Sequence, residues 1–96
     1  MYVLITYDVD TTSREGQRRL RRVAKECVNY GQRVQNSVFE CLITEAQFLV
    51  LNTTLSAIIN NTTDSIRYYF LGTNWQRKIK TIGKKTSYDP TEELII

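Results

Sequence analysis

The 96-residue sequence contains no histidine, and this absence removes several kinds of active site at once. Histidine is the general base of Ser-His-Asp and Cys-His hydrolases, the proton-transfer group of histidine-pair nucleases and a ligand in nearly all zinc sites. Any hydrolytic chemistry must therefore rest on carboxylates, on a metal ion, or on tyrosine, lysine or arginine.

Cysteine, glycine and proline are also scarce, at two, four and one residues. Cys27 and Cys41 form no CxxC motif and are too few for a disulfide framework, so we expect two buried, reduced thiols. The few glycine and proline residues predict short connections between elements. No apolar run approaches the length of a membrane span and no signal segment is recognisable, so we expect a cytoplasmic protein with no membrane partner.

Positive charge is concentrated in two zones of a chain whose formal net charge is +3. Residues 14–33 and 67–85 carry the arginine and lysine residues, and the second zone has no acidic residue. Such zones favour a polyanionic partner such as a nucleic-acid backbone, although a solubilising surface explains the same pattern.

The apolar pattern divides the chain into four strands and two helices. Strands are predicted at residues 2–8, 33–43, 65–71 and 75–82, and helices at 12–30 and 45–60. Thr12 with Glu15 forms a capping-box pattern at the first helix, and Gly31 is predicted to end that helix. Thr44 with Gln47 repeats the capping-box pattern at the second helix.

We predict from these elements an α+β protein with the ferredoxin-like βαββαβ arrangement, in which four antiparallel strands carry both helices on one face. Asn36 and Ser37 mark a bend or bulge in the second strand. The first strand is apolar on both faces, so the face without helices needs a cover, and a twofold-related copy of the chain is the simplest. We expect residues 1–82 to form the domain and residues 83–96 to pair with a partner chain through a short extra strand.

Basic residues of the first helix gather on an arc of about 100°, roughly opposite its apolar stripe. This set, called the basic arc below, consists of Arg14, Arg18, Arg21, Arg22 and Lys25. Only Glu15 and Glu26 lie near enough to offset the repulsion, so a polyanion is the simplest reason for the arrangement. Together with Arg77 and Lys78 of the second basic zone, the basic arc supplies the candidate nucleic-acid contacts.

The first strand ends on a carboxylate at Asp8. A strand-end aspartate commonly caps a helix or faces a loop, and this purely structural role suits Asp10 better than Asp8. The sharper hypothesis is a metal site, because Mg²⁺ is held by one or two carboxylates with water and substrate phosphate, and a twofold pair of Asp8 residues would supply two carboxylates. The ion would polarise a phosphate and lower the pKa of an attacking water.

The chain resembles the Cas-two family of CRISPR-associated proteins over nearly its whole length. The resemblance is carried by the Tyr7-Asp8 strand end, the basic first helix, the Gln-Asn-Ser-Val-Phe-Glu segment at residues 35–40 and the Ser-Tyr-Asp-Pro segment at residues 87–90. It implies a ferredoxin-like homodimer with metal-dependent endonuclease activity on RNA or DNA. It also implies an adaptor that joins two dimers of the spacer-acquisition integrase, with spacer DNA laid across it.

The resemblance also assigns roles to single residues. The family's metal-binding aspartate falls on Asp8, which would hold Mg²⁺ or Mn²⁺, and the tyrosine before it falls on Tyr7, which would position substrate or water. The family's basic residue at the start of the second strand falls on Arg33, which would contact phosphate. Phe39 would shape the site, and Ser37 is a strand hydrogen-bonder rather than a nucleophile because no base accompanies it.

Three functions remain open from the sequence. The first is the metal-dependent nuclease. The second is a non-catalytic scaffold in which the basic arc and residues 77–85 follow a DNA backbone, the C-terminal segment binds the integrase subunit, and Asp8 is structural. The third is a ferredoxin-like RNA-binding or ligand-sensing module, which the missing exposed aromatic-glycine pattern disfavours.

Overall fold

The computed structural model describes residues 1–83, which form four strands and three helices. In chain order they are β1 Tyr2–Asp8, α1 Arg14–Val28, β2 Gly31–Gln35, β3 Val38–Leu42, α2 Glu45–Ile58, β4 Ser65–Phe70 and α3 Trp75–Lys78. The strands form one antiparallel sheet in the order β2-β3-β1-β4. The predicted ferredoxin-like α+β fold is confirmed. The predicted extra C-terminal strand lies outside the described residues.

The first helix begins one residue later than its capping-box pattern predicts. Ser13 is the N-cap, and its hydroxyl oxygen accepts a hydrogen bond of 3.0 Å from the amide of Gly16. Thr12 is held instead by Asp10, whose carboxylate accepts hydrogen bonds from the Thr12 amide at 2.9 Å and its hydroxyl at 2.7 Å. An aspartate that bonds the backbone two residues on forms an Asx turn, and this turn leaves Ser13 to cap the helix.

The second helix forms as its sequence pattern predicts. The Thr44 hydroxyl accepts from the Gln47 amide at 3.1 Å, and the Gln47 side chain accepts from the Thr44 amide at 2.9 Å, which completes the capping box. Leu51, Leu55 and Ile58 are buried, and their spacing of four and three residues places them on one face of the helix. Neither α2 nor any other helix in residues 1–83 is long and apolar enough to cross a membrane.

The core lies between the sheet and the two long helices. Alternate residues of β1, namely Val3, Ile5 and Tyr7, are buried on this side, as the two-residue period of a strand requires. Cys27 of α1 and Cys41 of β3 join the same cluster as free thiols. Burial raises the pKa of Cys27 to about 12 and that of Cys41 to about 11, so both thiols stay protonated. The expectation of two buried thiols is confirmed.

Residues 33–43, predicted as one strand, form a hairpin instead. Strands β2 and β3 pair antiparallel, with a register shift between Arg33 and Gln35 and a turn at Asn36 and Ser37. Both parities of this segment contain apolar residues, because one side of the hairpin faces the helices and the other faces the open side of the sheet. A single long strand gives the same pattern, and the bend predicted at Asn36 and Ser37 is the reversal of the chain.

Gly31, predicted to stop α1, is the first residue of β2. The helix ends earlier, at Val28, with Asn29 as its C-cap. A Cβ atom at Gly31 would overlap the carbonyl oxygen of Glu40 and the Sγ atom of Cys41 in the paired strand. Glycine is therefore required here by the close approach of β3 rather than by a helix stop.

Residues 75–82, predicted as the last strand, contain the short helix α3 instead. Trp75 stacks on Tyr2, with ring centroids 4.8 Å apart and an angle of 18° between the ring planes. Because Tyr2 is on the opposite face of β1 from Val3, α3 packs on the face of the sheet that α1 and α2 leave open. The order βαββαβ still holds. The hairpin supplies two strands where one was predicted, and this replaces the strand predicted at residues 75–82.

Candidate functional site

The two residues that end β1 point to opposite faces of the sheet. Tyr7 is buried on the helix side, whereas Asp8 is exposed on the open side and lies across from Ser65 of β4. Adjacent Cα atoms are about 3.8 Å apart, but successive strand side chains diverge. The hypothesis from the sequence placed Tyr7 and Asp8 in one site, and within a single chain the structure does not bring their side chains together.

Three of the predicted site residues do come together on the helix side. The rings of Tyr7 and Phe39 stack with centroids 6.2 Å apart and an angle of 22° between planes. The guanidinium carbon of Arg33 lies 5.2 Å from the centroid of the Phe39 ring, in cation–π contact. Burial raises the pKa of the Tyr7 hydroxyl, and the positive charge of Arg33 opposes that shift.

This cluster borders a cleft between α1 and the β2–β3 hairpin, called the helix-side cleft below. Its volume is about 310 Å³, and it is lined by Tyr7, Leu20, Arg21, Ala24, Arg33, Asn36 and Ser37. The cleft therefore joins one member of the basic arc, Arg21, to the cluster around Phe39. In the sequence these two groups remain separate, because no local sequence pattern reports how closely α1 approaches the hairpin.

Every residue of the basic arc is exposed on α1. None of these side chains forms an ion pair within the described residues, where the one ion pair joins Arg19 to Asp64. Arg77 and Lys78 are exposed as well, but they belong to α3, on the opposite face of the sheet from α1. The two groups of candidate nucleic-acid contacts thus lie on two different faces.

Asp64 is the positioning residue that sequence reasoning missed. Its carboxylate is fully buried beside β4 and accepts four hydrogen bonds. The donors are Arg19 Nε at 2.8 Å, the Asp10 amide at 3.0 Å, the Asn60 amide at 2.9 Å and the Thr63 hydroxyl at 3.0 Å. Burial alone raises the pKa of Asp64, but these donors outweigh it and lower the pKa to about 2. Because the bond to Asp10 fixes the loop after β1, this network holds the strand end that carries Asp8.

A metal ion at Asp8 requires ligands beyond those of one chain. Within residues 1–83, no three or more aspartate, glutamate or cysteine side chains are grouped so as to hold an ion. The exposed Asp8 carboxylate nevertheless suits Mg²⁺, which uses one or two protein carboxylates and completes its shell with water and substrate phosphate. The residues present fit the ion as one part of a site, whose remaining ligands would come from outside this chain.

The family model for CRISPR associated protein Cas2 matches residues 1–79. The CRISPR-associated endonuclease Cas2 of Halalkalibacterium halodurans is 53% identical over 95 residues, covering 99% of this chain and 99% of that protein. The CRISPR-associated endoribonuclease Cas2 of Nitratidesulfovibrio vulgaris is 49% identical over 96 residues, covering 100% of this chain and 94% of that protein. The crystal structure of Streptococcus pyogenes Cas2 at pH 6.5 is similar with a TM-score of 0.77 and 59% identity, covering 86% of this chain and 100% of that one.

Proposed function

Since this chain belongs to the CRISPR-associated Cas2 family, we propose that it is a metal-dependent endonuclease of CRISPR adaptive immunity that acts on RNA or DNA. The observation that carries the proposal is the exposed carboxylate of Asp8, fixed at the end of β1 on the open face of the sheet. The names of the two relatives, an endonuclease and an endoribonuclease, support the same activity.

A homodimer through the open face completes the proposal. On this face Leu42 and Tyr69, across from Tyr2 and Leu4 of β1, are 43% and 41% exposed. Large side chains exposed on a sheet face favour a protein partner, and a twofold axis near β1 would set the two Asp8 carboxylates towards each other. The paired carboxylates would supply the ligands that a single chain lacks.

In this mechanism the chain's own residues attract the nucleic acid, hold the metal ion and fix the position of Asp8. The basic arc draws the phosphate backbone to α1, and the Asp64 network keeps the end of β1 in place. Asp8 would hold Mg²⁺ or Mn²⁺, which supplies the charge that polarises a phosphate and acidifies water. No histidine is needed for this division of roles.

Metal dependence is the first test of the proposal. Purified wild-type protein is incubated with labelled single-stranded RNA and with duplex DNA, in Mg²⁺, in Mn²⁺ and in excess chelator. We expect cleavage in the two metals and a loss of at least about 100-fold in the chelator, because the ion supplies several kcal/mol of transition-state stabilisation. Cleavage that persists in the chelator contradicts the proposal.

A non-catalytic scaffold that binds spacer DNA and bridges integrase dimers is the second candidate function. The basic arc favours it, since five exposed cations without acidic partners in residues 1–83 suit contacts to phosphates that ignore base sequence. Metal-independent duplex binding without any cleavage would favour this scaffold over the nuclease.

Charge reversal on the basic arc tests duplex binding. The double substitution Arg18→Glu with Arg22→Glu should weaken duplex DNA binding at least about tenfold and make the salt dependence shallower by roughly two phosphate contacts. Binding is measured by fluorescence anisotropy at several salt concentrations. As a control, Thr53→Glu with Ser56→Glu places negative charge on exposed positions of α2. Equal weakening by both pairs would mean that the basic arc is not the contact surface.

A further inference from the structure

The helix-side cleft has an apolar wall and a size suited to a small ligand. Leu20 and Ala24, both half-buried on α1, line it together with the buried ring of Tyr7. Its volume of about 310 Å³ falls at the lower end of the range for small-molecule sites, about 300–1,000 Å³. An apolar wall beside an aromatic ring suits a flat heteroaromatic group such as a nucleobase.

Two arginine residues line the same cleft from different elements. Arg21 lines it from α1 and Arg33 from β2. Neither forms an ion pair in the part of the chain that the structure describes. Contact with the Phe39 ring orients Arg33 without neutralising it. Guanidinium groups without an acidic partner bind phosphate through charge-assisted hydrogen bonds.

The hairpin tip gives the cleft a fixed polar wall. The Tyr7 hydroxyl donates to the carbonyl oxygen of Asn36 at 3.2 Å, and the Tyr7 amide donates to the carbonyl oxygen of Ser37 at 3.1 Å. These two bonds tie the tip to the end of β1, so the wall is formed before a ligand arrives. Asn36 and Ser37 line the cleft, and their side chains carry groups that hydrogen-bond the edges of a base.

We propose that the helix-side cleft binds one unpaired nucleotide, with its base against the apolar wall and its phosphate at Arg21 and Arg33. The proposal rests on the proposed action on nucleic acid, and the nucleotide in the cleft must be unpaired because a stacked and paired base cannot enter it. Asp8 follows Tyr7 in the chain, so the cleft and the Asp8 carboxylate lie on opposite faces at the same end of β1.

The test is calorimetric titration of the intact chain with AMP, adenosine and inorganic phosphate, without divalent metal. AMP should bind at least about tenfold tighter than adenosine or inorganic phosphate alone, because AMP contacts both the apolar wall and the two arginine residues. Arg21→Gln and Arg33→Gln should each weaken AMP binding about tenfold. Arg67→Gln removes the same charge from an exposed position of β4 and corrects for net charge. Ala24→Leu fills the apolar wall, leaves both guanidinium groups in place and should abolish AMP binding, with melting curves reporting whether each variant is folded.

Each result supports or overturns the nucleotide cleft. Inorganic phosphate binding as tightly as AMP would reduce the cleft to an anion site and overturn the proposal. Equal effects of Arg21→Gln and Arg67→Gln would also overturn it, since binding would then follow net charge alone. Cleavage of single-stranded RNA is measured in parallel. If the wild-type protein cuts RNA but does not bind AMP, the nucleotide cleft is contradicted and the nuclease is supported. If it binds AMP but does not cut RNA, the nuclease is contradicted and the nucleotide cleft is supported.

Discussion

Asp8→Asn should reduce metal-dependent cleavage by at least about 100-fold while leaving the protein folded. An amide of the same shape has no negative charge with which to hold Mg²⁺. The Asp8 side chain is exposed, and the pairing of β1 with β4 at Ser65 uses the backbone, so the substitution leaves the fold unchanged. The measurement is the initial rate of RNA cleavage at matched protein concentration, with melting curves beside it.

Asp10→Asn is the matched control for this loss. Asp10 lies two residues further along. Within residues 1–83 its carboxylate accepts two hydrogen bonds, both from Thr12, which an asparagine oxygen also accepts. We expect this variant to cleave like the wild type. If Asp8→Asn and Asp10→Asn retain equal activity, the metal is not at Asp8, and the activity lies elsewhere or in a contaminant.

The second large effect is on stability, at Asp64. Asp64→Asn should lower the free energy of unfolding by about 3 kcal/mol, because it breaks a buried ion pair with Arg19 from one side only. An amide has one acceptor oxygen for the four donors that surround the carboxylate, and its NH₂ group would face a donor. In a domain of this size the melting temperature should fall by more than about 10 °C.

Asp64 also gives the stability of the wild type a defined dependence on pH. The folded pKa of about 2 lies below the ordinary value of 3.8. The carboxylate therefore contributes its full stability above about pH 4 and loses it as the pH falls towards 2. Denaturant titrations across this window should show a shallower decline for Asp64→Asn than for the wild type. Parallel curves for the two proteins would mean that Asp64 is not the group that titrates.

The parts of the fold that follow from local patterns were predictable. The capping box of Thr44 and Gln47 lies within four residues, and the alternation in β1 repeats every second residue, so each pattern identifies its element without tertiary information. The hairpin was not predictable in this way. Residues 33–43 carry apolar side chains at both parities, a pattern that one strand and two strands share, and only the packing of β2 and β3 distinguishes them.

The candidate site shows the same division. The alternation of side chains along a strand is enough to place Tyr7 and Asp8 on opposite faces. The prediction of one shared site followed the family resemblance instead of this alternation. In contrast, no pattern links Arg19 to Asp64, which is 45 residues away in the sequence. The helix-side cleft likewise depends on how closely α1 approaches the hairpin, a distance that side-chain packing decides.

The contact between Trp75 and Tyr2 has a practical consequence for spectroscopy. Trp75 is the only tryptophan in the chain, and it stacks on the open face of the sheet, on the same strand face as Asp8. Tyrosine emission overlaps tryptophan absorption, so Tyr2 transfers excitation energy to Trp75 while the two rings stay stacked 4.8 Å apart. The chain therefore carries an intrinsic fluorophore whose emission reports on the environment of the open face, without any added label.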